Sequence, residues 1–275
     1  HQAEDEFFID DIKQITSFTE GLCNNENYYH TKKIAHIKKS IPNFDFLFAG
    51  FPCQSFSKMG NQRGLEDDRG ALFFDIACIL KSKLPKYFIL ENVNRILTID
   101  NKKTFLTIQE ILHKIGYNFR IFKLDSKDYG VPQTRRRVFI CGIKETEQLS
   151  NIEMISEPYK TKLKKSTLDI LDKNVDHKYI LSEKIKKTIL SRGSGGYDAD
   201  PTINLEIARP LTKTMVKMHR AHQDNYYSNK YILGDKEEKW VRKLTPIEAF
   251  RLQGFPDKFT INAYNAGLSD AQLYM

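Results

Sequence analysis

Apolar positions alternate between two periodicities along the first half of the chain. Phe44 to Gly50 is a short run rich in β-formers, which predicts a buried strand that ends abruptly in Pro52, Cys53 and polar side chains. Leu72, Ile76, Ile79 and Leu80 recur at helical spacing within 71–83, and Pro85 closes that helix. Lys86 to Val93 reads as the next strand, and Phe105, Ile108, Leu112 and Ile115 as one face of a helix stopped by Gly116. Asn118 to Leu124 and Val138 to Ile143 have strand character, as does Phe7 to Ile15 near the start. Strand and helix in short alternation predict an α/β fold with a doubly wound, mostly parallel sheet.

That alternation fails from about Lys144 to Lys239, where a lysine-rich stretch (160–165), an SRGSGG turn (191–196) and a polar aromatic stretch (219–227) follow one another. A second, smaller lobe over 144–240 accounts for the change, with 241–275 returning to the first domain, 1–143. In the closing part Thr245, Pro246 and Glu248 spell a capping box with proline at the first helical position, and Ser269 with Gln272 spells another. Between Cys53 and the helix at 71–83, residues 58–70 are rich in Gly, Asn, Asp and Arg, which predicts a long loop beside the thiol, placed to act as a lid.

Composition narrows the function classes. The 275 residues are 40% hydrophobic and 12% aromatic, enough for a substantial core, and carry a net charge of +8, which suits a polyanionic partner without proving one. The cysteines, Cys23, Cys53, Cys78 and Cys141, are far apart with no CxxC pair, which argues for reduced thiols and against a structural metal. No window approaches the roughly 18 consecutive apolar residues of a membrane span, and no basic-then-apolar leader opens the chain. The expectation is a cytoplasmic protein that does not enter a membrane.

The residues with chemical potential gather where strands end. A strand stopping at Gly50 and turning at Pro52 holds the Cys53 thiol beyond the carboxyl edge of the sheet, where open α/β folds bind ligands. Glu91 leaves the next strand at the same edge. A buried Glu there can stay protonated and donate to a ring nitrogen. Arg135 and Arg137, two apart in the run Gln133 to Arg137, project the same way from an extended segment and can fork onto a carbonyl oxygen and a phosphate. Each has a plainer reading alone: Cys53 as a small hydrophobe, Glu91 as a helix cap, the arginines as a solvated face. Their combination favours chemistry.

The FPCQSFS stretch from Phe51, ENV from Glu91, QTRRR from Gln133 and RKLTPIEAFRLQGFPDKF from Arg242 resemble the ordered motifs of the DNA (cytosine-5)-methyltransferases, as do RGALFFDI from Arg69 and DYGVPQ from Asp128. The resemblance implies a Rossmann-like methyltransferase fold, with 1–143 catalytic and 144–240 a target-recognition domain. It implies that Cys53 adds to C6 of a flipped-out cytosine, that Glu91 donates to N3, and that Arg135 and Arg137 hold the base carbonyl or a neighbouring phosphate. Asp11 and Pro52 match contacts to S-adenosylmethionine, whose product is S-adenosylhomocysteine. Gln54, Ser55, Ser57, Gln62 and Arg63 fall in the lid and its root and are expected to contact DNA. Arg209, Thr212, Lys217 and Arg220, with His219, His222 and Gln223, are the expected contacts of the recognition lobe.

The implied partner is double-stranded DNA in a restriction-modification setting, with a monomeric, nucleoid-associated enzyme in a bacterial-type cytoplasm. Two other functions stay open on the motifs: a tRNA cytosine-5 methyltransferase, and a catalytically incomplete DNA-binding protein. The family's glycine-rich opening motif and its closing GN-containing helix have no counterpart in 1–275. Further sequence beyond His1 and Met275, a second polypeptide supplying the missing motif, and loss of the site are the three explanations left open.

Overall fold

A computed structural model of the chain describes residues 11–16, 31–53, 72–145, 152–192, 198 and 200–274. The chain divides into two compact units, His1–Leu124 with Arg136–Pro158, and Asp125–Arg135 with Tyr159–Met275. Within the second unit, strand pairing ties 241–243 to 226–228.

The first unit is built on a four-stranded sheet of β1 (Phe46–Gly50), β2 (Tyr87–Val93), β3 (Tyr117–Asp125) and β4 (Arg136–Lys144), in the order β1-β2-β4-β3. β1 and β2 are parallel, with Gly50 opposite Glu91. β4 runs antiparallel to β2, with Val93 opposite Arg137. The sheet is thus mixed where a mostly parallel one was expected: β4 returns into the sheet between β2 and β3, a placement that local periodicity does not encode. β1 is also less buried than its apolar run predicts, since Phe46 and Phe48 are 50% and 64% exposed.

Helices α1 (Lys13–Thr16), α2 (Thr31–Ser40), α3 (Leu72–Lys83) and α4 (Lys103–Ile115) complete this unit. α3 is enclosed on two sides. Phe73, Phe74, Ile76, Ala77 and Leu80 join the sheet-side core with Phe88, Leu90, Val138 and Ile140, whereas Cys78 and Ile79 pack with Ile15 and Ile37 from α1 and α2. α4 buries Phe105, Ile108, Leu112 and Ile115, the face its spacing predicts, and Gly116 ends it at φ +100°. The strand expected at Phe7–Ile15 is instead helical over 13–16, its remaining positions lying outside the described residues. Ile12 and Ile15 share a helical face, and the Asp11 and Ile12 carbonyls take N–H groups three and four residues on.

The second unit has short elements: α5 (Glu183–Ile189), β5 (Tyr226–Ser228), α6 (Asn229–Leu233), β6 (Val241–Lys243), α7 (Pro246–Arg251), α8 (Asp257–Asn265) and α9 (Asp270–Leu273). Two small apolar clusters fill it, one around Tyr227, Leu244 and Leu252, the other around Leu181, Tyr226 and Val241. Both predicted capping boxes are present, at Thr245 with Glu248 and at Ser269 with Gln272. Among the described residues no helix is long and apolar enough to cross a membrane.

Candidate active site

In the first unit the carboxyl ends of β1 and β2 bring three elements together. β1 stops at Gly50; Phe51 is buried, Pro52 exposed and Cys53 half-buried against the core. The turn is fixed from β2: Asn92 Nδ2 donates to the Phe51 carbonyl at 2.9 Å, and Asn92 Oδ1 accepts from the Val93 N–H at 2.8 Å. Asn92 is only 2% exposed, so this tie is shielded from competing water.

Glu91, one residue earlier, faces β1. A Cβ placed on Gly50 would lie 3.3 Å from Glu91 Oε2, so glycine at this register position leaves room for the carboxylate. Glu91 Oε1 accepts from Arg137 Nε of β4 at 2.7 Å. Glu91 is half-buried where a buried position was expected, and Arg137 grips its carboxyl group across the sheet instead of projecting freely. Burial pushes the Cys53 thiol up, and the charge of Arg95 pulls it partly back. Arg95 sits in a short 3₁₀ turn, Asn94–Leu97, that follows β2 directly.

Arg135 belongs to the second unit. It lines a cavity of about 290 Å³ with Thr212, Lys213, Gln253, Phe250 and Tyr274. Thr212 Oγ1 donates to Asp224 Oδ1 at 3.4 Å, and the buried Asp224 also takes the His219 N–H at 2.8 Å, so one carboxylate shapes this segment. Arg209 is anchored by its backbone, exchanging hydrogen bonds with Asn225 at 2.8 and 3.1 Å, while its guanidinium donates to the Thr202 carbonyl at 3.2 Å. Lys217 is exposed at the end of a 3₁₀ turn, and the Arg220 carbonyl closes the turn that carries Gln223 and Asp224.

Gln54, Ser55, Ser57, Gln62 and Arg63, with the whole expected lid, lie outside the described residues. Asp11 and Pro52 are both exposed. Cys53, Cys78 and Cys141 are free thiols, and among the described residues no cluster of His, Cys, Asp or Glu could hold a metal ion.

Three features escaped sequence reading. Asn92 and Arg95 could have been suspected only from their nearness to Glu91. The third is a fully buried ion pair in the RKLTPIEAFR motif: Arg242 Nη2 to Glu248 Oε1 at 2.7 Å and Nη1 to Oε2 at 2.8 Å. Glu248 also takes the N–H groups of Asp172 and Thr245 at 2.7 and 2.8 Å, and Arg242 Nη2 donates to the Asp172 carbonyl at 3.0 Å. That motif is a scaffold.

Residues 12–274 match the family model of C-5 cytosine-specific DNA methylases. The chain is 36% identical over 242 residues to the Type II methyltransferase M1.ScrFI of Lactococcus lactis subsp. cremoris, covering 86% of this chain and 59% of that protein. It is 37% identical to the Type II methyltransferase M.SsoII of Shigella sonnei, covering 86% and 60%. The chain thus spans about six-tenths of the length of these relatives. In fold it is similar to the S. pombe Dnmt2 methyltransferase, at a TM-score of 0.62 and 17% identity over 96% of this chain and 87% of that one. With the family model spanning nearly its whole length, the chain belongs to the C-5 cytosine-specific DNA methylase family.

Proposed function

We propose that this chain performs sequence-specific methylation of duplex DNA at C5 of cytosine, in a restriction-modification setting in the cytoplasm, as a monomer. The observation that carries the reading is that Cys53 follows the end of β1 where Gly50 lies opposite Glu91 of β2, with Gly50 making room for the Glu91 carboxyl group and Arg137 of β4 holding it.

C5 of cytosine is a poor nucleophile, so the ring must be activated covalently. The Cys53 thiolate adds to C6 of a base rotated out of the duplex. As electron density moves onto the ring, a proton passes from the Glu91 carboxyl to N3, leaving an enamine nucleophilic at C5. Arg137 fixes Oε1, which leaves Oε2, the oxygen on the β1 side, to serve N3. After C5 gains its methyl, a base removes the C5 proton, the thiolate leaves C6, and the N3 proton returns to Glu91.

The methyl donor of this reading is S-adenosylmethionine, leaving as S-adenosylhomocysteine. Asp11 and Pro52 fit such a group chemically, one as a carboxylate acceptor for an exocyclic amine and the other as an apolar ring face, and both are exposed. When bound, it supplies an electrophilic methyl on a sulfonium. Residues 144–240 act as the target-recognition domain, with Arg209, Thr212, Lys217 and Arg220 toward DNA and Arg135 beside Thr212 in one cavity. Gln54, Ser55, Ser57, Gln62 and Arg63 complete the DNA-contacting set.

Duplexes carrying 5-fluorocytosine test the chemistry, because that base lacks the C5 proton needed for release. The protein with cofactor is expected to form a covalent adduct, and Cys53→Ala to form none, with turnover below about one-thousandth of the original. No adduct from the unmodified protein, or labelled methyl reaching tRNA but not duplex DNA, would overturn the proposal.

A further inference from the structure

Residues 126–135 form a closed loop in the second unit. The Ser126 N–H donates to the Arg135 carbonyl at 3.1 Å, and the Arg135 N–H to Asp125 Oδ1 at 3.1 Å. The closure brings Lys127, next to Ser126, to the backbone of Arg135. Beside Lys127 runs the segment 160–165, docked by the Thr161 N–H on the Asp128 carbonyl at 2.8 Å and by a parallel bridge between Tyr129 and Thr161.

Lys127, Lys160 and Lys162 line one shallow groove with Asp128, Thr161 and Ile207, and the exposed Lys164 follows at the next alternate position. Asp128, the carboxylate lining the groove, lies 3.7 Å from the Lys160 ammonium. That leaves the net charge of the groove positive. Ile207 belongs to the same segment as Thr212, which shares its cavity with Arg135 and Lys213. The segment is pinned beside 132–134 by the Ala208 N–H on the Pro132 carbonyl at 2.8 Å and the Thr134 N–H on the Ala208 carbonyl at 2.9 Å. One braced piece of backbone therefore carries cations from Arg135 through Lys127 to Lys162 and Lys164.

We propose that Lys127, Lys162 and Lys164 form a phosphate track that holds duplex DNA outside the recognised word. This rests on the DNA reading above and extends the contacts beyond it. The chemistry selects the partner. Separate ammonium groups along one groove can each meet a different phosphate of a strand that carries one charge per roughly 3.4 Å of helix axis. A shallow groove with ammonium groups in a row suits a phosphate ladder, whereas a single small anion needs enclosure.

The test is the salt dependence of duplex binding. Each phosphate contact contributes about 0.9 to the slope of log K against log salt. The variant K127Q/K162Q/K164Q should lower the slope by about 2 to 3. The single Lys162→Gln should remove about 0.9, and it supplies the reading if the triple variant fails to fold. A charge-matched control, K39Q/K81Q/K114Q, replaces exposed lysines of the first unit and should leave the slope unchanged. The track is overturned by an unchanged slope in both strip variants, by an equal loss in the control, or by a loss seen on single-stranded RNA but not on duplex DNA. Failure of the unmodified protein to trap 5-fluorocytosine strikes the methylation reading; trapping with the slope intact in the strip variants strikes only the track.

Discussion

Two close Arg–Glu pairs, Arg137–Glu91 in the first unit and Arg242–Glu248 in the second, differ in what surrounds them. Arg137 and Glu91 sit at strand ends with 19% and 29% of their side chains exposed, joined by one contact at 2.7 Å. Arg242 and Glu248 are 0% exposed and joined through both carboxylate oxygens. Each Glu248 oxygen accepts twice, once from Arg242 and once from a backbone N–H, so the group has little left to offer a ligand. The open pair leaves the second Glu91 oxygen outside the ion pair, while the closed pair organises backbone 70 residues apart in sequence. An ion pair within a recognisable motif thus says little about catalysis until its surroundings are known.

The sharpest way to break this comparison is Glu248→Ala. It strands a buried guanidinium and two backbone donors, and should cost about 3 to 5 kcal/mol. Chemical denaturation measures it, and a loss under 1 kcal/mol would mean the pair is no scaffold. Next is Arg137→Gln, which should reduce turnover by about ten- to a hundredfold through a loosened Glu91, while the melting temperature stays within about 2 °C. A large melting shift without a rate effect would reverse the assignment of the two pairs. Thr245→Ala removes the cap of α7 and should cost about 1 kcal/mol. The smallest effect is expected from Arg95→Gln. Because Arg95 favours the Cys53 thiolate, its loss should move the rise of iodoacetamide alkylation to higher pH. A shift to lower pH would show that Arg95 does not act on the thiol.

What sequence could reveal follows the range of the interactions. The buried face of α4, the ends of α3 and the capping boxes at Thr245 and Ser269 depend on neighbours a few positions away, and all are present. The insertion of β4 between β2 and β3 depends on partners far along the chain, and periodicity has no term for it. The site shows the same division. Cys53 and Glu91 stood out as polar groups at the ends of apolar runs, but Arg137 holding Glu91 requires knowing that β4 lies beside β2. The two-residue spacing of Arg135 and Arg137 is plain in the sequence, but that Arg137 grips Glu91 and that Arg135 lines a cavity with Thr212 depend on distant partners.

The buried pair also sets a timetable for synthesis. The carbonyl and N–H of Asp172 find their partners in Arg242 and Glu248, 70 and 76 residues downstream. On a ribosome adding about 5 to 20 residues per second, some 4 to 15 seconds pass before those partners are made. A nascent chain halted before Arg242 therefore leaves the Asp172 backbone without its native partners.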